Sequence, residues 1–304
     1  MNDMRKTLVL ILLVILALSS TCSAETITYR ELSADSESEF LKVSLQLPVK
    51  WQNFYDFLAK FPNLKEVDMF DTPVNPKQAH ELHELFPNVE FGMTIRFAEH
   101  HLRTDDTAFS TLHDNAAWHN IYDLSVVKYC KNLYALDIGH NSFKDLSFLY
   151  EMPQLRVLIV ACGDAKDITP IGSLKHLEYL EIFHNNIEDI SCLRDLPYLM
   201  DLNIVNNLIT DLEPLKEIKS LQRLWIFRHY RGRENEDPAF LDELQKALPN
   251  CHIDWTHTST AGGWRKDPHY DVIYRVFHSR KYEPFADSLP ENIPEGFAPR
   301  SDPE

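Results

Sequence analysis

Large aliphatic residues return every 22 positions through the middle of this chain, at Leu133, Leu155, Leu177, Leu199 and Leu221. Three and five residues after each anchor stand Leu136/Ile138, Leu158/Val160, Leu180/Ile182, Leu202/Ile204 and Leu224/Ile226. Alternation of this kind marks a strand, because successive side chains point to opposite faces. Eight residues after the anchor come Asn141, Gly163, Asn185 and Asn207, where an Asn amide suits a turn, followed by Phe143, Ala165, Ile187 and Ile209. A second apolar set, Leu146/Leu149, Ile168/Ile171, Ile190/Leu193 and Leu212/Leu215, closes each unit.

A period in the twenties with this pattern belongs to leucine-rich repeats, in which each unit adds one short strand and covers its neighbour's apolar edge. The stretches NLYALDIGHNSFKDLSFL and HLEYLEIFHNNIEDISCL resemble the 22-residue repeats of internalin-like bacterial surface proteins. The match runs from Ile121 to Phe227. That resemblance implies an α/β solenoid, a right-handed superhelix with a parallel sheet on its concave face and helical caps. It also implies protein recognition without an enzyme's chemistry or a cofactor. The ending departs from surface-anchored internalins, since Leu289-Pro290-Glu291-Asn292-Ile293 is not a sorting motif. The caps are more similar to firmicute leucine-rich-repeat proteins of unassigned function.

Outside the regular array the pattern is looser. A strand over Leu41–Leu47 precedes a helix over Val49–Phe61; a second strand and helix follow at Leu64–Met69 and Pro76–Phe86, then a strand over Phe91–Phe97. Residues 98–120 are rich in His and Asp and weakly periodic, and read as an excursion from one repeat. Pro238–Leu248 reads as a helix, Cys251–Trp255 as a strand, and Tyr270, Ile273, Tyr274 and Phe277 as the stripe of a capping helix. The expected organisation is 1–24 signal peptide, 25–120 N-terminal cap, 121–237 regular repeats, 238–282 C-terminal cap and 283–304 disordered tail.

The N-terminal assignment rests on Arg5 and Lys6, eleven apolar residues from Leu8 to Leu18, and small residues up to Ala24. This apolar run is too short for a standard membrane span. Export and a secreted or cell-surface location follow, with no membrane span in the mature chain. Lipid attachment at Cys22 is the weaker alternative, because Thr21 and Leu18 fit a lipobox poorly. Loss of Asp3, Arg5 and Lys6 leaves 28 Lys+Arg against 45 Asp+Glu, a net charge of −17. Such a surface disfavours nucleic acid and suits basic or neutral partners. The four remaining cysteines share no column and suggest no disulfide framework. A monomer is expected.

If the anchors point inward, the alternate strand positions form the concave surface. Its columns are Ala135, Val157, Tyr179, Asp201, Arg223; Asp137, Ile159, Glu181, Asn203, Trp225; and Gly139, Ala161, Phe183, Val205, Phe227. The expected binding site is Val157, Ile159, Tyr179, Glu181, Phe183, Asn203, Val205, Arg223, Trp225 and Phe227, centred on an exposed aromatic patch of hot-spot composition. The competing reading is that the segment around Trp264 or Phe285 folds back over these rings. Arg223 and Arg228 could pair with an acidic group of a partner.

Two constellations invite chemistry. His140, Cys162 and His184 share one column, but a zinc site needs further ligands and a reactive thiol needs a base and a pocket. The excursion offers Glu99, His100, His101, Asp105, Asp106, His113, Asp114 and His119 without a standard metal spacing. A metal-dependent hydrolase at the excursion and carbohydrate or peptidoglycan binding on the aromatic face are the alternatives to a protein or peptide ligand. No metal or cofactor is expected, and no phosphate-binding glycine loop is present in the sequence.

Overall fold

A computed structural model describes residues 25–45, 48–97, 99–112, 124–227, 238–256 and 263–285. The signal-peptide and Cys22 expectations, His113, Asp114, His119, Arg228 and the tail beyond residue 285 lie outside these described residues. The chain forms two compact units, residues 1–72 with 81–92, and residues 73–80 with 93–304.

In the first unit, β1 (Thr26–Tyr29) and β2 (Leu32–Asp35) pair as an antiparallel hairpin. Strand β3 (Phe40–Lys42) runs parallel to β4 (Glu66–Val74), and helix α1 (Trp51–Leu58) lies between them in sequence. The apolar spacing of α1 buries Phe54, Phe57 and Leu58, and Tyr29 meets the Phe54 and Phe57 rings at 5.8 and 5.5 Å.

Helix α2 (Pro76–Leu85) starts at a reciprocal cap. The Gln78 amide N–H donates to Asn75 Oδ1 (3.0 Å) while the Asn75 N–H donates to Gln78 Oε1 (2.8 Å). Strand β5 (Glu90–Phe97) follows and pairs antiparallel with β6 (His100–Arg103).

The second unit is a leucine-rich-repeat α/β solenoid. Its parallel sheet has the order β13-β12-β11-β10-β9-β8-β7, with β7 Ala108–Ser110, β8 Ala135–Asp137, β9 Val157–Ile159, β10 Tyr179–Glu181, β11 Asp201–Asn203, β12 Arg223–Trp225 and β13 His252–Asp254. Strand β7 lies within the segment read from sequence as excursion, yet it pairs with β8 as the first strand of the repeat sheet. Its 27-residue offset from β8, rather than 22, is what hid it from a fixed-period reading.

Opposite the strands, 3-10 turns run over Ser147–Glu151, Thr169–Ser173, Ser191–Asp195 and Glu213–Glu217. Each turn is opened by an aspartate two residues earlier: Asp145, Asp167, Asp189 and Asp211 accept from the amides of Ser147, Thr169, Ser191 and Glu213 at 2.7–2.9 Å. The Ser147 and Ser191 amides, seconded by their hydroxyls, hold the Asp145 and Asp189 carboxyls below the usual carboxylate range, and the Thr169 hydroxyl and amide do the same for Asp167.

An asparagine ladder links the repeats. Asn185 Nδ2 donates to the carbonyls of Val160 (2.6 Å) and Ile182 (3.1 Å), and Asn207 Nδ2 donates to those of Ile182 and Ile204 (both 2.9 Å). Their Oδ1 atoms accept from the amides of Ala165 and Ile187. The sequence breaks the ladder at Gly163, where a Cβ would stand 2.7 Å from the Asn141 carbonyl oxygen.

After helix α3 (Pro238–Ala247) and β13, the chain enters a short 3-10 turn (Trp264–Lys266) and helix α4 (Pro268–Ser279). Asp267 caps α4 by accepting from the His269 amide at 2.9 Å, Pro268 occupies the first turn, and Arg280 ends the helix at φ 57°. Among the described residues, no helix is long and apolar enough to cross a membrane.

Candidate functional site

The concave face of the sheet is covered by the chain's own C-terminal segment, residues 263–285. Val157, Ile159, Tyr179, Glu181, Phe183, Asn203, Val205, Arg223 and Trp225 are all buried, and Phe227 is partly buried against the same cluster. The expectation of an exposed binding patch is therefore corrected: the rings are core, as in the competing reading with Trp264 and Phe285. Alternation showed which side chains leave the sheet on this side, but not what meets them.

Trp264 is the centre of the closure and is fully buried. Its indole N–H donates to the Tyr179 hydroxyl at 2.8 Å, and its ring meets Trp225 edge-on at 5.8 Å. Gly263 is required beside it, because a Cβ there would stand 2.7 Å from the Trp225 ring. Helix α4 buries Ile273, Val276 and Phe277 at helical spacing on the same side. Phe285 stacks on Tyr179 with centroids 6.3 Å apart and also meets the His269 ring at 5.0 Å. Glu283–Phe285, read from sequence as the start of a disordered tail, is thus packed structure.

Charged groups are drawn into this interface. Arg223 donates through Nε to Asp201 (2.9 Å) and through Nη1 to the Trp264 carbonyl (2.8 Å), with its guanidinium 3.6 Å from the Trp264 ring centroid. The other Asp201 oxygen lies 2.6 Å from His269 Nδ1. Arg223 is therefore engaged within the chain and is not presented to an acidic partner. Toward β7, Arg280 donates to the His101 carbonyl (2.9 Å), and the Tyr282 amide donates to Thr107 Oγ1 (2.9 Å).

Burial raises the acids beneath the strap. Desolvation pushes Asp137 up to about 6 although the Gly139 amide and Ser110 hydroxyl donate to it. Glu181, which accepts from the Tyr179 hydroxyl, is raised chiefly by the same burial, and Tyr179 is held far above the usual phenol range.

The His140, Cys162, His184 column lies at the turn that ends each strand, and all three residues have a left-handed backbone, with φ of 57°, 56° and 55°. Desolvation lowers both imidazoles and pushes the Cys162 thiol up to about 11. A thiol shifted in this direction is a weaker source of thiolate than a free cysteine. Asn206, the next member of the column, bonds His184 Nε2 at 2.9 Å. Among the described residues, no group of three or more His, Cys, Asp or Glu side chains is arranged to hold a metal ion.

The excursion resolves into structure rather than a site where it is described. His100 is buried between the Phe97 and Phe109 rings, Asp106 accepts from the Arg103 amide at 2.9 Å, and Asp105 forms a two-pronged pair with the Arg103 guanidinium.

One arrangement escaped the sequence reading. His80 of α2 bonds Tyr129 Oη through Nδ1 (2.7 Å) and Ser125 Oγ through Nε2 (3.2 Å). The order resembles nucleophile, base and orienting group, but Ser125 occupies the repeat position that carries Ser147, Thr169 and Ser191 in later units. It is a turn residue of the repeat, and the chain of bonds ties α2 to the first 3-10 turn, Ser125–Tyr129.

No family model matches the chain, and no curated protein matches it significantly. Solved structures that resemble it include an internalin of Listeria monocytogenes (17% identity, 66% of this chain and 56% of that one, TM-score 0.41). An internalin C2 of the same species resembles it at 18% identity over 66% of this chain and 74% of that one, TM-score 0.42. A leucine-rich-repeat protein of Leptospira interrogans does so at 21% identity over 66% of this chain and 50% of that one, TM-score 0.44. The chain thus spans about half the length of the first and third. The fold itself stands on the repeat geometry described above.

Proposed function

We propose that this chain is an exported, non-enzymatic leucine-rich-repeat protein that recognises a protein or peptide partner as a monomer. The observation that carries this reading is a rigid array of parallel strands whose polar groups are spent on its own architecture. Of the sequence's chemical candidates, His140, Cys162 and His184 are turn residues, His100 is packed between rings, and Asp105 and Asp106 bond to Arg103. The 22-residue period, which the internalin-like resemblance shares, and the N-terminal signal pattern support export and a firmicute-type surface or secreted role.

The closed concave face changes where recognition takes place. A partner meets the outer side of the 263–285 strap and the rims of the sheet, not Phe183 and Trp225. The net charge of −16 favours partners that are basic or neutral overall. The test is capture from the native extracellular milieu with the chain starting at Glu25. A saturable partner retained by the folded chain and lost after heat unfolding supports the reading; no captured protein under any condition overturns it.

A further inference from the structure

The strap, residues 263–285, adds no strand to the seven-stranded sheet. The bonds described between it and the repeats each use a side chain: Arg223 to the Trp264 carbonyl, the Trp264 indole to Tyr179, Arg280 to the His101 carbonyl and the Tyr282 amide to the Thr107 hydroxyl. It can therefore leave the sheet with every rung of the strand ladder intact, a local opening separate from unfolding of the repeats. What sets it apart from an ordinary core segment is the charge chemistry it shuts off from water. Asp137, Glu181, Asp201 and Arg223 are all buried on the covered side. Asp201 and Arg223 pair with each other at 2.9 Å. Asp137 and Glu181 are met instead by neutral donors, the Ser110 hydroxyl and Gly139 amide for one and the Tyr179 hydroxyl for the other.

Burial raises both unpaired acids, and the charges of Arg265, and for Glu181 also of Arg223, do not offset it. Closed and dry, each acid keeps its proton more readily; open and wet, each returns to the ordinary carboxylate range. Rising pH therefore charges them beneath the strap and favours the open form. His269, in the first turn of α4, acts in the same direction. Its Nδ1 lies 2.6 Å from Asp201, with Arg223 and Asp267 beside that pair, and a protonated imidazole makes it a charged contact that a neutral one does not. At the far end of the strap Arg280 faces Asp106, whose carboxyl burial also raises. His140 and His184 oppose the trend, because desolvation keeps them neutral and their protonation at acid pH favours opening. Both keep access to water, whereas Asp137 and Glu181 have almost none, so the two acids dominate. Tyr179, Tyr270 and Cys162 are pushed up and stay protonated throughout.

We propose that the strap is a pH-sensitive lid over the concave face, held down at mildly acidic pH and lifting from Tyr179, Phe183 and Trp225 increasingly often as pH rises through neutrality, while the repeats beneath it stay folded. This goes beyond the recognition role proposed above and does not depend on it. The closed form remains the major one; pH sets how often it opens. With Asp137 passing from about 6 in the closed chain to about 4 in water, this carboxyl alone makes opening about tenfold more frequent at about pH 7.5 than at about pH 5. Glu181 adds to the rise in the same direction.

The experiment follows hydrogen exchange by mass spectrometry on the chain from Glu25, with each rate divided by the intrinsic rate at that pH, and compares α4 with the strands β9, β10 and β11. The α4 amides are expected to exchange at least about tenfold more readily than the strands at about pH 7.5, and to lose about tenfold or more of their protection between about pH 5 and about pH 7.5. Asp137→Asn with Glu181→Gln, which keeps the side-chain shapes without the charges, should flatten the α4 change to within about threefold. Each single variant is measured beside the double one, and Asp137→Asn by itself should remove about tenfold of the change. Equal protection of α4 and the strands overturns the proposal, because the strap then opens only when the whole solenoid unfolds. An α4 protection that does not vary with pH, or one that varies as much in Asp137→Asn as in the unsubstituted chain, overturns it as well.

Discussion

Trp264→Ala tests whether the strap belongs to the core. The side chain has no exposed surface and touches Tyr179, Trp225 and Arg223. Truncating a buried Trp costs about 3–5 kcal/mol from lost transfer energy and the cavity left behind. Loss of its hydrogen bond to the Tyr179 hydroxyl adds roughly 1 kcal/mol, and unstacking of the Arg223 guanidinium in a desolvated site adds up to about 2 kcal/mol. These contributions overlap, so the expected total is about 5 kcal/mol, or a fall of roughly 10–15 °C in the melting midpoint for a chain of this size. The assay is urea and thermal unfolding followed by far-ultraviolet circular dichroism, with near-ultraviolet signal reporting the Trp environments. Trp255→Ala is the control; with 39% of its surface already exposed it should cost clearly less, about 2 kcal/mol or under. A Trp264→Ala loss below about 1 kcal/mol, or equal losses for the two tryptophans, would refute the closed concave face.

The same closure makes Gly263→Ala destabilising by about 1–3 kcal/mol, since the added methyl meets the Trp225 ring at 2.7 Å; unfolding midpoints check this. Asn185→Ala removes donors to the Val160 and Ile182 carbonyls and the acceptor of the Ala165 amide, and should cost about 2–3 kcal/mol in the same assay, whereas Asn186→Ala beside it should cost far less. Asp137 sets a pH dependence. Its folded value of about 6 exceeds its unfolded value near 4, so the folded chain binds the extra proton and stability rises as pH falls from about 6 to about 4. Glu181, raised in the same direction, adds to the trend, while Asp145, Asp167 and Asp189, held low, begin to lose their contribution only below that window. Urea midpoints should therefore be higher near about pH 5 than near about pH 7.5, and Asp137→Asn should flatten the difference while gaining on the order of 2 kcal/mol at the higher pH. An unchanged pH profile in Asp137→Asn would assign the trend elsewhere.

Much of the repeat unit was legible in the residues alone. A strand alternates with period two and a solenoid repeats its unit in register, so Leu133 to Ile226 announces strands, turns and their parallel stacking without any tertiary information. The turn asparagines and the Tyr270, Ile273 and Phe277 positions of the capping helix were equally readable, because each depends on local geometry, but Tyr274, read into the same stripe, is 54% exposed and Val276 takes the buried place. Strand β7 was missed since its longer spacing breaks the period, and the His80–Ser125–Tyr129 link was missed since it joins residues 45 and 49 positions apart.

What the sequence by itself determined is the repeating backbone and which side chains leave each face of it. What only the tertiary structure decided is whether those side chains meet water or protein. Tyr179, Phe183 and Trp225 carry the same pattern whether they form a binding patch or a core, and the choice was made by a segment beginning some 40 residues beyond Trp225. The physical reason is that alternation is fixed by local backbone geometry, whereas burial depends on chain closure over long separations, here by Trp264, α4 and Phe285.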